Sequence, residues 1–326
     1  MSELYPLANK RVWVAGHRGM VGSALVRRLA AEHCDILTIG RDELDLRRQS
    51  QVEAWMDRAK PQAVFLAAAT VGGIKANSDY PARFLYDNLM IEANVIHSAW
   101  KCGVEKLVAL GSTCVYPKHA PQPIPEEALL SGPLEPTNEW YAVAKIAGIK
   151  LTQSYRQQYG CDFIAVQPSN LYGRGDNYDP ETSHVLPALL RKAHEARLAD
   201  AQSMVVWGSG DPLREFCHVD DLADGLVFLA KHYSGEIPIN VGSGREVSIR
   251  DLAGMICEIV GFEGKLFFDQ TKPDGTPRKL ADISRLSDMG WRCAIDLKTG
   301  IAETYRLCLE ERIFDTPRVA DRSTQA

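Results

Sequence analysis

The stretch VWVAGHRGMVGSALVRRLA, residues 12–30, decides the fold of this chain. It begins with a short apolar run, passes through three glycines spaced G-x-x-G-x-x-G (Gly16, Gly19 and Gly22), and ends in a segment of helical periodicity. Glycines in this position permit a tight turn from strand to helix and a close approach of the backbone to a diphosphate. The amide groups that open the helix are donors for such an anion. The stretch therefore predicts a strand, a phosphate-binding turn and a helix, and the alternative is an ordinary glycine-rich turn.

Short apolar runs and helical stretches alternate through the first half of the chain. The apolar runs are residues 12–15, 35–39, 63–69, 106–110 and 163–166. Between them, residues 20–31 and 88–102 carry apolar side chains on one helical face. This alternation is typical of βαβ units. We therefore predict an α/β fold with a Rossmann-type, doubly wound parallel sheet.

The alternation fades after Asn170, which predicts a smaller C-terminal substrate lobe. Residues 173–180 are rich in Gly, Asp and Asn and are expected to form a loop, followed by a helix from about 183 to 199. A return to the sheet around 216–229 and 237–241 would make this lobe discontinuous. The predicted division is 1–172 plus about 214–242 for the first domain, and about 173–213 plus 243–316 for the second. Residues 317–326 are expected to be a fraying polar tail.

Composition excludes several classes of function. With 326 residues, 45% of them hydrophobic, the chain has enough apolar side chains for a sizeable core. The net charge of -5 leaves no basic footprint for nucleic acid. The eight cysteines occur singly, without zinc-site spacing, so we expect no metal and reduced thiols in a cytoplasmic protein. No signal-peptide pattern opens the chain, and no apolar run reaches the roughly 20 residues of a membrane span.

A candidate catalytic group follows the fourth apolar run. Ser112 stands just beyond that run, and Tyr141 and Lys145 occur in the stretch YAVAK. Residues four apart lie on one face of a helix. A nearby ammonium favours tyrosinate, so we expect Lys145 to lower the pKa of Tyr141 from its usual value of about 10. Tyr141 is then an acid or base for a carbonyl/alcohol interconversion, with Ser112 bonded to the substrate oxygen, whereas an isolated Y-x-x-x-K is more often a surface pair.

The end of the second apolar run indicates which dinucleotide is bound. An NAD site usually places an acid here for the ribose, whereas an NADP site places a cation near the 2′-phosphate. Arg41 stands at this position, and Arg18 in the glycine turn converges on it, which favours NADP(H). Asp42 and Glu43 follow directly and are an alternative contact for a ribose. Plain solvated charges are the other alternative for the two arginines.

The glycine turn, Ser112 and YAVAK together resemble the extended short-chain dehydrogenase/reductases that act on nucleotide sugars. Within that family the chain is most similar to the enzymes that act on GDP-4-keto-6-deoxy-D-mannose, and the resemblance covers nearly the whole chain. It is carried by AGHRGMVGSA (15–24), LAAATVGGIKAN (66–77), GSTCVYPK (111–118), LEPTNEWYAVAKIAGIKL (134–151), NLYGRGDNY (170–178), SHVLPALLRK (183–192), VVWGSGDPLREFCHVDD (205–221) and PDGTPRK (273–279).

The resemblance implies a two-stage reaction, in which 3,5-epimerisation precedes an NADPH-dependent 4-keto reduction to GDP-L-fucose. Cys114 and His184 match the family's epimerisation pair, which implies that Cys114 is the base and that His184 delivers protons from the opposite face. From the residues alone, a thiol two positions after Ser112 faces the same way if the backbone is extended. A lowered pKa would be needed for Cys114 to act as a base. The alternatives are a small buried hydrophobe at 114 and a capping or hydrogen-bonded histidine at 184.

The resemblance also implies binding residues. Those for NADP(H) are Gly16, His17, Arg18, Gly19, Met20, Val21, Gly22, Arg41, Asp42, Leu44, Leu110, Gly111, Tyr141, Lys145, Pro168, Ser169, Asn170, Leu171 and His184. Those for the GDP-sugar are Lys192, Trp207, Arg214 and Asp282. Arg214 suits a diphosphate and Trp207 suits stacking, while an exposed arginine and a core tryptophan are the alternatives. The family's dimers imply a homodimer formed through helices near 84–102 and 141–155.

Three other functions remain as alternatives at this point. A 4,6-dehydratase of the same superfamily would be expected to carry an acid pair where this chain has Thr113 and Cys114. A simple C-4 epimerase has no evident use for Cys114 and His184, and NAD would be its expected cofactor. A non-catalytic, NADP-binding regulatory protein has no need of an intact Ser112, Tyr141 and Lys145.

Overall fold

The computed structural model describes residues 3–179, 182–272 and 274–315. The tail predicted for residues 317–326 lies outside the described residues. The helices are α1 (Met20–Leu29), α2 (Gln49–Ala59), α3 (Ile74–Asp79), α4 (Pro81–Lys101), α5 (Glu139–Tyr159), α6 (Val185–Leu198), α7 (Val219–His232), α8 (Ile249–Val260), α9 (Ser284–Asp288) and α10 (Leu297–Glu310). The strands are β1 (Arg11–Ala15), β2 (Asp35–Leu37), β3 (Ala63–Leu66), β4 (Lys106–Leu110), β5 (Asp162–Pro168), β6 (Asn170–Tyr172), β7 (Ser203–Trp207), β8 (Leu213–His218), β9 (Ile239–Val241), β10 (Glu246–Ser248), β11 (Lys265–Asp269) and β12 (Arg278–Lys279).

Six strands form the main sheet in the order β2-β1-β3-β4-β5-β9, and every neighbouring pair is parallel. The chain runs outward from β1 to β2 and then crosses back to β3, so the winding reverses beside β1. In sheets of this kind, ligands bind in the crevice outside the carboxyl ends of the strands at the reversal. The predicted Rossmann-type sheet is confirmed, and the glycine turn follows β1 at that crevice.

Helices cover both faces of the main sheet because the side chains of each strand alternate between the faces. On β1, Val12 and Val14 join one apolar cluster with α1 and α7, while Trp13 joins another with α2 and α4. In α1, Leu25 and Leu29 are spaced i, i+4 and are fully buried against the first face. The sheet is therefore buried on both sides, as a parallel sheet requires.

A second apolar core lies among α6, α8 and α10. Leu190, Leu252 and Ile301 are fully buried there. Strand β8 pairs with β6, β10 and β12 in a smaller sheet, and β7 pairs with β11. The division of the chain into two domains stays a prediction.

Residues 216–229 do not return to the main sheet as expected. The first three of them complete β8 in the smaller sheet, and the others lie in α7. The reason is periodicity: Leu222, Leu226 and Leu229 recur at helical spacing and form the buried face of α7. Of this region, β9 pairs with β5 and so joins the main sheet.

Helix α4 begins at Pro81, earlier than the expected start at residue 88. Its first turns bury Asp87 and Asn88, and these polar side chains interrupt the apolar pattern. Asn88 accepts a hydrogen bond from the Thr70 amide at 2.8 Å and donates one to the Thr70 carbonyl oxygen at 3.0 Å. Proline suits the first turn of a helix, because its missing N–H would have no partner there. Each helix within the described ranges is too short or too polar to cross a membrane.

Candidate active site

The glycine turn after β1 is packed too closely for larger residues. An ideal Cβ on Gly22 would lie 2.1 Å from the Gly16 carbonyl oxygen, and one on Gly16, where φ is +91°, would lie 2.7 Å from the Ala68 nitrogen. Helix α1 begins at Met20 with only glycine and apolar residues in its first turn. Its amide donors and positive dipole end thus favour an anion. A cavity opens beside this turn, lined by His17, Ser23, Thr38, Arg174 and Gly175.

Gly22→Ala is expected to displace α1 from this turn, because the added methyl group would overlap the Gly16 carbonyl. We expect the protein to lose about 1–3 kcal/mol of stability by overpacking, and its affinity for NADPH to fall about tenfold or more. Urea unfolding and fluorescence titration measure the two effects. Gly254→Ala is the control, since an ideal Cβ on Gly254 in α8 meets open space. An unchanged NADPH affinity in Gly22→Ala would contradict the assignment of this turn.

Two arginines approach the end of β2, as expected for a phosphate site. The Arg18 guanidinium reaches from the glycine turn to Gly40, where an ideal Cβ would lie 2.8 Å from its Nη2. Its Nη1 also lies 3.1 Å from Asp42 Oδ1, and both side chains are 68% exposed. An exposed pair of this kind is worth less than about 1 kcal/mol and yields easily to a bound phosphate. Arg41 is also exposed, while Leu44 is buried.

Tyr141 and Lys145 lie one turn apart on α5, as their spacing predicts. The Lys145 side chain is buried and donates to Glu92 Oε1 at 2.8 Å and to the Leu110 carbonyl oxygen at 2.8 Å. Its Nζ lies 5.9 Å from the centre of the Tyr141 ring. The ammonium is therefore held between α4, β4 and the tyrosine.

The net pKa of Tyr141 is raised, contrary to the expected lowering. Burial raises the pKa of Tyr141 well above its usual value, with further increases from Cys114 and Glu92 and a smaller opposing effect of a hydrogen bond with Ser112. Burial has the largest effect because the phenolate would lose its water, and Glu92, from α4, also pairs with Lys145 and offsets its charge. The phenol stays protonated, so it is suited to donate a proton to a forming alkoxide.

Glu92→Gln is expected to destabilise the protein by about 3 kcal/mol or more, because it leaves the Lys145 ammonium buried without its carboxylate. Asp57→Asn is a matched control, because Asp57 pairs with Lys60 at the surface of α2 and such exposed pairs contribute little to stability. Urea unfolding of the ligand-free protein gives both free energies. Equal losses in the two variants would show that Lys145 does not depend on Glu92.

The backbone that carries Cys114 is not extended, so strand alternation does not direct its thiol. Thr113–Val115 form a turn of 3₁₀-helix, which Ser112 caps by accepting a hydrogen bond from the Cys114 amide at 3.2 Å. The Ser112 hydroxyl also lies beside the Cys114 thiol and the Tyr141 phenol, and it lowers the pKa of each. The serine, the thiol and the phenol therefore converge because of this cap, and not because of strand alternation.

The Cys114 thiol has polar partners, unlike a cysteine that serves only as a small hydrophobe. Lys279 Nζ and Asn138 Nδ2 each lie 3.4 Å from its Sγ. Burial raises the pKa of Cys114, but the Lys279 charge and hydrogen bonds from Ser112 and Lys279 outweigh it, so the net pKa is lowered. A small cavity adjoins the thiol, lined in part by Gln122, Ile124 and Thr276. The site thus favours the thiolate, which is the basic form.

His184 stands at the N-cap position of α6 with its side chain accessible in the cleft. Among the described residues, its ring makes no capping hydrogen bond, which removes the capping alternative. Desolvation by the surrounding protein lowers the pKa of His184, and the Lys279 ammonium lowers it further. The same cation therefore acts on His184 and on Cys114, which places both groups around one region of the cleft.

Lys192 and Trp207, two of the predicted substrate residues, lie together at the surface of the second core. Lys192 Nζ is 5.1 Å from the Trp207 ring centre, and Lys272 Nζ is 5.5 Å from it. Trp207 is 57% exposed, so it is not a core tryptophan. Its open face and the two ammonium groups suit an aromatic base and a phosphate.

Arg214 and Asp282 are the other two residues predicted to bind the GDP-sugar. Arg214 is half-buried on β8, and burial lowers its pKa despite the nearby Asp274 and Glu135. The assignment of Asp282 to the substrate stays a prediction, and its contacts are local. Its amide donates to the Ile124 carbonyl oxygen at 2.9 Å, and its carboxylate accepts from the Ser284 amide at 2.9 Å. Asp282 therefore shapes the turn into α9, while Asp274 and Glu135 are the acids near Arg214.

The remaining predicted cofactor residues lie at the carboxyl ends of β4 and β5. Gly111 follows β4, and its amide donates to the Val166 carbonyl oxygen at 2.8 Å. Pro168 ends β5, the Ser169 amide donates to Val241 at 2.9 Å, and Asn170 Nδ2 donates to the Glu215 carbonyl oxygen at 2.7 Å. Leu171 lies on the adjoining β6. These residues border the same crevice as the glycine turn.

Three residues that contact the site were not predicted: Glu92, Asn138 and Lys279. Asn138 and Lys279 stand in quoted stretches, LEPTNEWYAVAKIAGIKL and PDGTPRK, so the resemblance offered a signal for them. Glu92 had no such signal, because a charge on a helix normally indicates a solvated face.

Comparisons with known proteins identify the relatives of this chain. The NAD dependent epimerase/dehydratase family matches residues 12–242. A GDP-L-fucose synthase of Sinorhizobium fredii is 57% identical over 302 residues, which is 93% of this chain and 96% of that protein. The GDP-L-fucose synthase of Escherichia coli is 50% identical over 317 residues, covering 94% of this chain and 98% of that protein. The crystal structure of a GDP-L-fucose synthetase from Naegleria fowleri bound to NADP has a TM-score of 0.89 and 29% identity, covering 97% of this chain and 98% of that one.

Proposed function

The chain belongs to the NAD dependent epimerase/dehydratase family, and from this premise we propose that it converts GDP-4-keto-6-deoxy-D-mannose to GDP-L-fucose. The reaction consists of 3,5-epimerisation followed by NADPH-dependent reduction of the 4-keto group. One observation carries the proposal: two proton-transfer groups, the protonated Tyr141 and the thiolate-favouring Cys114, converge on Ser112 in one cleft. A simple reductase needs the first group and has no use for the second.

NADP(H) fits the crevice beside β1. The close packing of Gly16 and Gly22 leaves the amides of the first turn of α1 for the diphosphate, and Arg18 and Arg41 supply cations for the 2′-phosphate. Lys145 binds the nicotinamide ribose and also acts on Tyr141. NADPH, when bound, supplies the hydride for the reduction.

In the first stage, the 4-keto group acidifies the hydrogens on C-3 and C-5. The Cys114 thiolate removes one of these protons and carries it as S–H. His184 delivers a proton from the opposite face of the resulting enolate, which inverts that carbon. The lowered pKa of His184 makes its imidazolium a stronger acid and so eases this transfer. Exchange with solvent then resets both groups for the second carbon.

In the second stage, Tyr141 donates its phenolic proton to the alkoxide that forms at C-4. The raised pKa of Tyr141 keeps the proton on the phenol until the alkoxide, a stronger base, needs it. Ser112 donates a hydrogen bond to the same oxygen. Lys145, fixed by Glu92 and Leu110, holds the tyrosine side of the cleft in place.

The proposal assigns the two cores different tasks. The NADP-binding domain is residues 1–172 plus about 214–242, and the substrate lobe is about 173–213 plus 243–316, with Lys192, Trp207 and Arg214 holding the GDP-sugar. Exposed aromatic side chains on α4 and α5, Tyr86 and Tyr159, support a homodimer through these helices. The eight cysteines are free thiols, which supports a cytoplasmic location.

A product assay tests the proposal. The purified protein is given NADPH with GDP-4-keto-6-deoxy-D-mannose, and NADPH loss is compared with the sugar nucleotide formed. We expect one GDP-L-fucose for each NADPH consumed. With NADH in place of NADPH, we expect the activity to be lower by about tenfold or more. The UDP-linked 4-keto-6-deoxy sugar is the control for the nucleotide. If NADPH is consumed but only the unepimerised 4-alcohol forms, the protein is a simple reductase and the proposed epimerisation is wrong.

A further inference from the structure

Lys279 belongs to the substrate lobe, yet its ammonium lies 3.4 Å from the Cys114 sulfur, which follows β4 of the main sheet. We infer that Lys279 is a positioning residue for the epimerisation: its positive charge stabilises the thiolate of Cys114 and eases the release of the His184 proton to the sugar. The inference rests on the proposed function for the reaction that it serves. The contact between the ammonium and the thiol does not depend on that function.

The backbone around Lys279 is held from two sides, so the position of its charge is set by the fold. Lys279 pairs with Arg214 in the register of β12 on β8. The next residue, Leu280, donates its amide to Gln122 Oε1 at 2.9 Å, and its carbonyl accepts from the Ile124 amide at 2.8 Å. These bonds tie β12 to the segment that follows the Cys114 turn.

A buried carboxylate completes this support. Glu215 on β8 is 0% exposed, and its Oε2 accepts from the Ala281 amide at 3.0 Å. Its Oε1 accepts from the Gly244 amide at 2.6 Å. A buried carboxylate that is bonded to backbone amides is costly to move. It therefore keeps β12 in one position beside the cleft.

The other charged groups near the thiol are already paired with each other. Lys118 lies 3.0 Å from Glu135, and Arg278 lies 2.8 Å from Glu246. From α5, Tyr141 faces the thiol as a neutral phenol, and Asn138 donates to its sulfur from the turn before α5. Glu92 faces Lys145 and Tyr141. Lys279 is thus the cation that contacts the sulfur.

The positive charge of Lys279 affects the protonation of both Cys114 and His184. Burial alone would raise the pKa of Cys114, and the ammonium reverses that direction. The same charge lowers the pKa of His184, so this residue releases its proton readily. When the thiolate forms, its proton passes to solvent. The thiolate then takes a proton from C-3 or C-5, and His184 supplies the replacement on the other face.

Alkylation of Cys114 by iodoacetamide tests the inference without substrate or cofactor. The rate is followed against pH by mass spectrometry of the peptide that contains Cys114, since only the thiolate reacts. In Lys279→Met we expect the midpoint to move to higher pH and the rate near neutral pH to fall about tenfold. Lys279→Arg is expected to restore most of the rate. Lys265→Met, at an exposed position on β11, is the control and should match the wild type.

The matching readout is deuterium uptake at C-3 and C-5 of GDP-4-keto-6-deoxy-D-mannose. Lys279→Met is expected to slow uptake about tenfold near neutral pH and to recover as the pH rises, while NADPH affinity stays unchanged. Circular dichroism confirms folding, and Lys279→Gln replaces any variant that fails to fold. Alkylation profiles that coincide in Lys279→Met and wild type would overturn the inference. A wild type that exchanges no sugar protons would instead defeat the proposed function, and the alkylation result would still decide the role of Lys279.

Discussion

Tyr141→Phe is expected to lose the reduction and keep the epimerisation. Removing the phenolic hydroxyl leaves the C-4 alkoxide without its proton donor, and general acid catalysis of this kind contributes about 10²–10⁴-fold to the rate. Because Cys114 and His184 remain, deuterium uptake at C-3 and C-5 is expected to continue. The variant should therefore separate the two stages of the reaction.

The comparison needs the rate of NADPH oxidation and the rate of deuterium uptake on the same substrate. Tyr155→Phe is the control: Tyr155 lies on the same helix, and its hydroxyl contacts His97 Nδ1 at 2.6 Å. Its oxidation rate should equal that of the wild type. If Tyr141→Phe reduced the keto-sugar at the wild-type rate, the proton would have to come from another group, and the assignment of Tyr141 would fail.

Cys114→Ala is expected to have the opposite effect on the two stages. Without the thiolate, deuterium uptake at C-3 and C-5 should fall about 10²–10⁴-fold, and GDP-L-fucose formation should fall with it. NADPH affinity should be unchanged, because the glycine turn and the Arg18 guanidinium lie apart from the thiol. In the wild type, the lowered pKa of Cys114 means that uptake persists above that pKa and is lost as the pH falls through it.

Cys102→Ala controls for the loss of a thiol elsewhere. Cys102 ends α4, and burial raises its pKa, so it has no basic role to lose. NMR of the sugar nucleotide in D₂O measures uptake in both variants. Uptake in Cys114→Ala at the wild-type rate would assign the base to a different residue.

Local patterns account for the parts of the fold that could be predicted. The glycine turn and the apolar runs of β1, β3 and β4 are signals within a few residues, and parallel strands with crossover helices follow from their alternation. Helix α7 was missed because the apolar residues among 216–229 fit both a buried strand and a buried helix when only composition is weighed. The start of α4 was missed because Asp87 and Asn88 are polar but buried.

In the site, too, local patterns predicted some residues, while contacts between residues distant in sequence could not be predicted. Ser112 follows β4, so it was expected at the carboxyl edge of the sheet, where the glycine turn also lies. Contacts across the chain gave no such signal: Lys145 pairs with Glu92 across 53 residues, and Lys279 reaches Cys114 across 165. These two contacts set the charges around Tyr141 and Cys114, which is why the direction of the Tyr141 pKa shift could not be derived from spacing alone.

We propose that one cleft performs both proton exchange and hydride reduction on a single GDP-sugar. The most direct measurement is NMR of the product formed from GDP-4-keto-6-deoxy-D-mannose and NADPH in D₂O. We predict GDP-L-fucose that carries deuterium at both C-3 and C-5 and unlabelled hydrogen from NADPH at C-4. A reduced product with protium at C-3 and C-5 would contradict it.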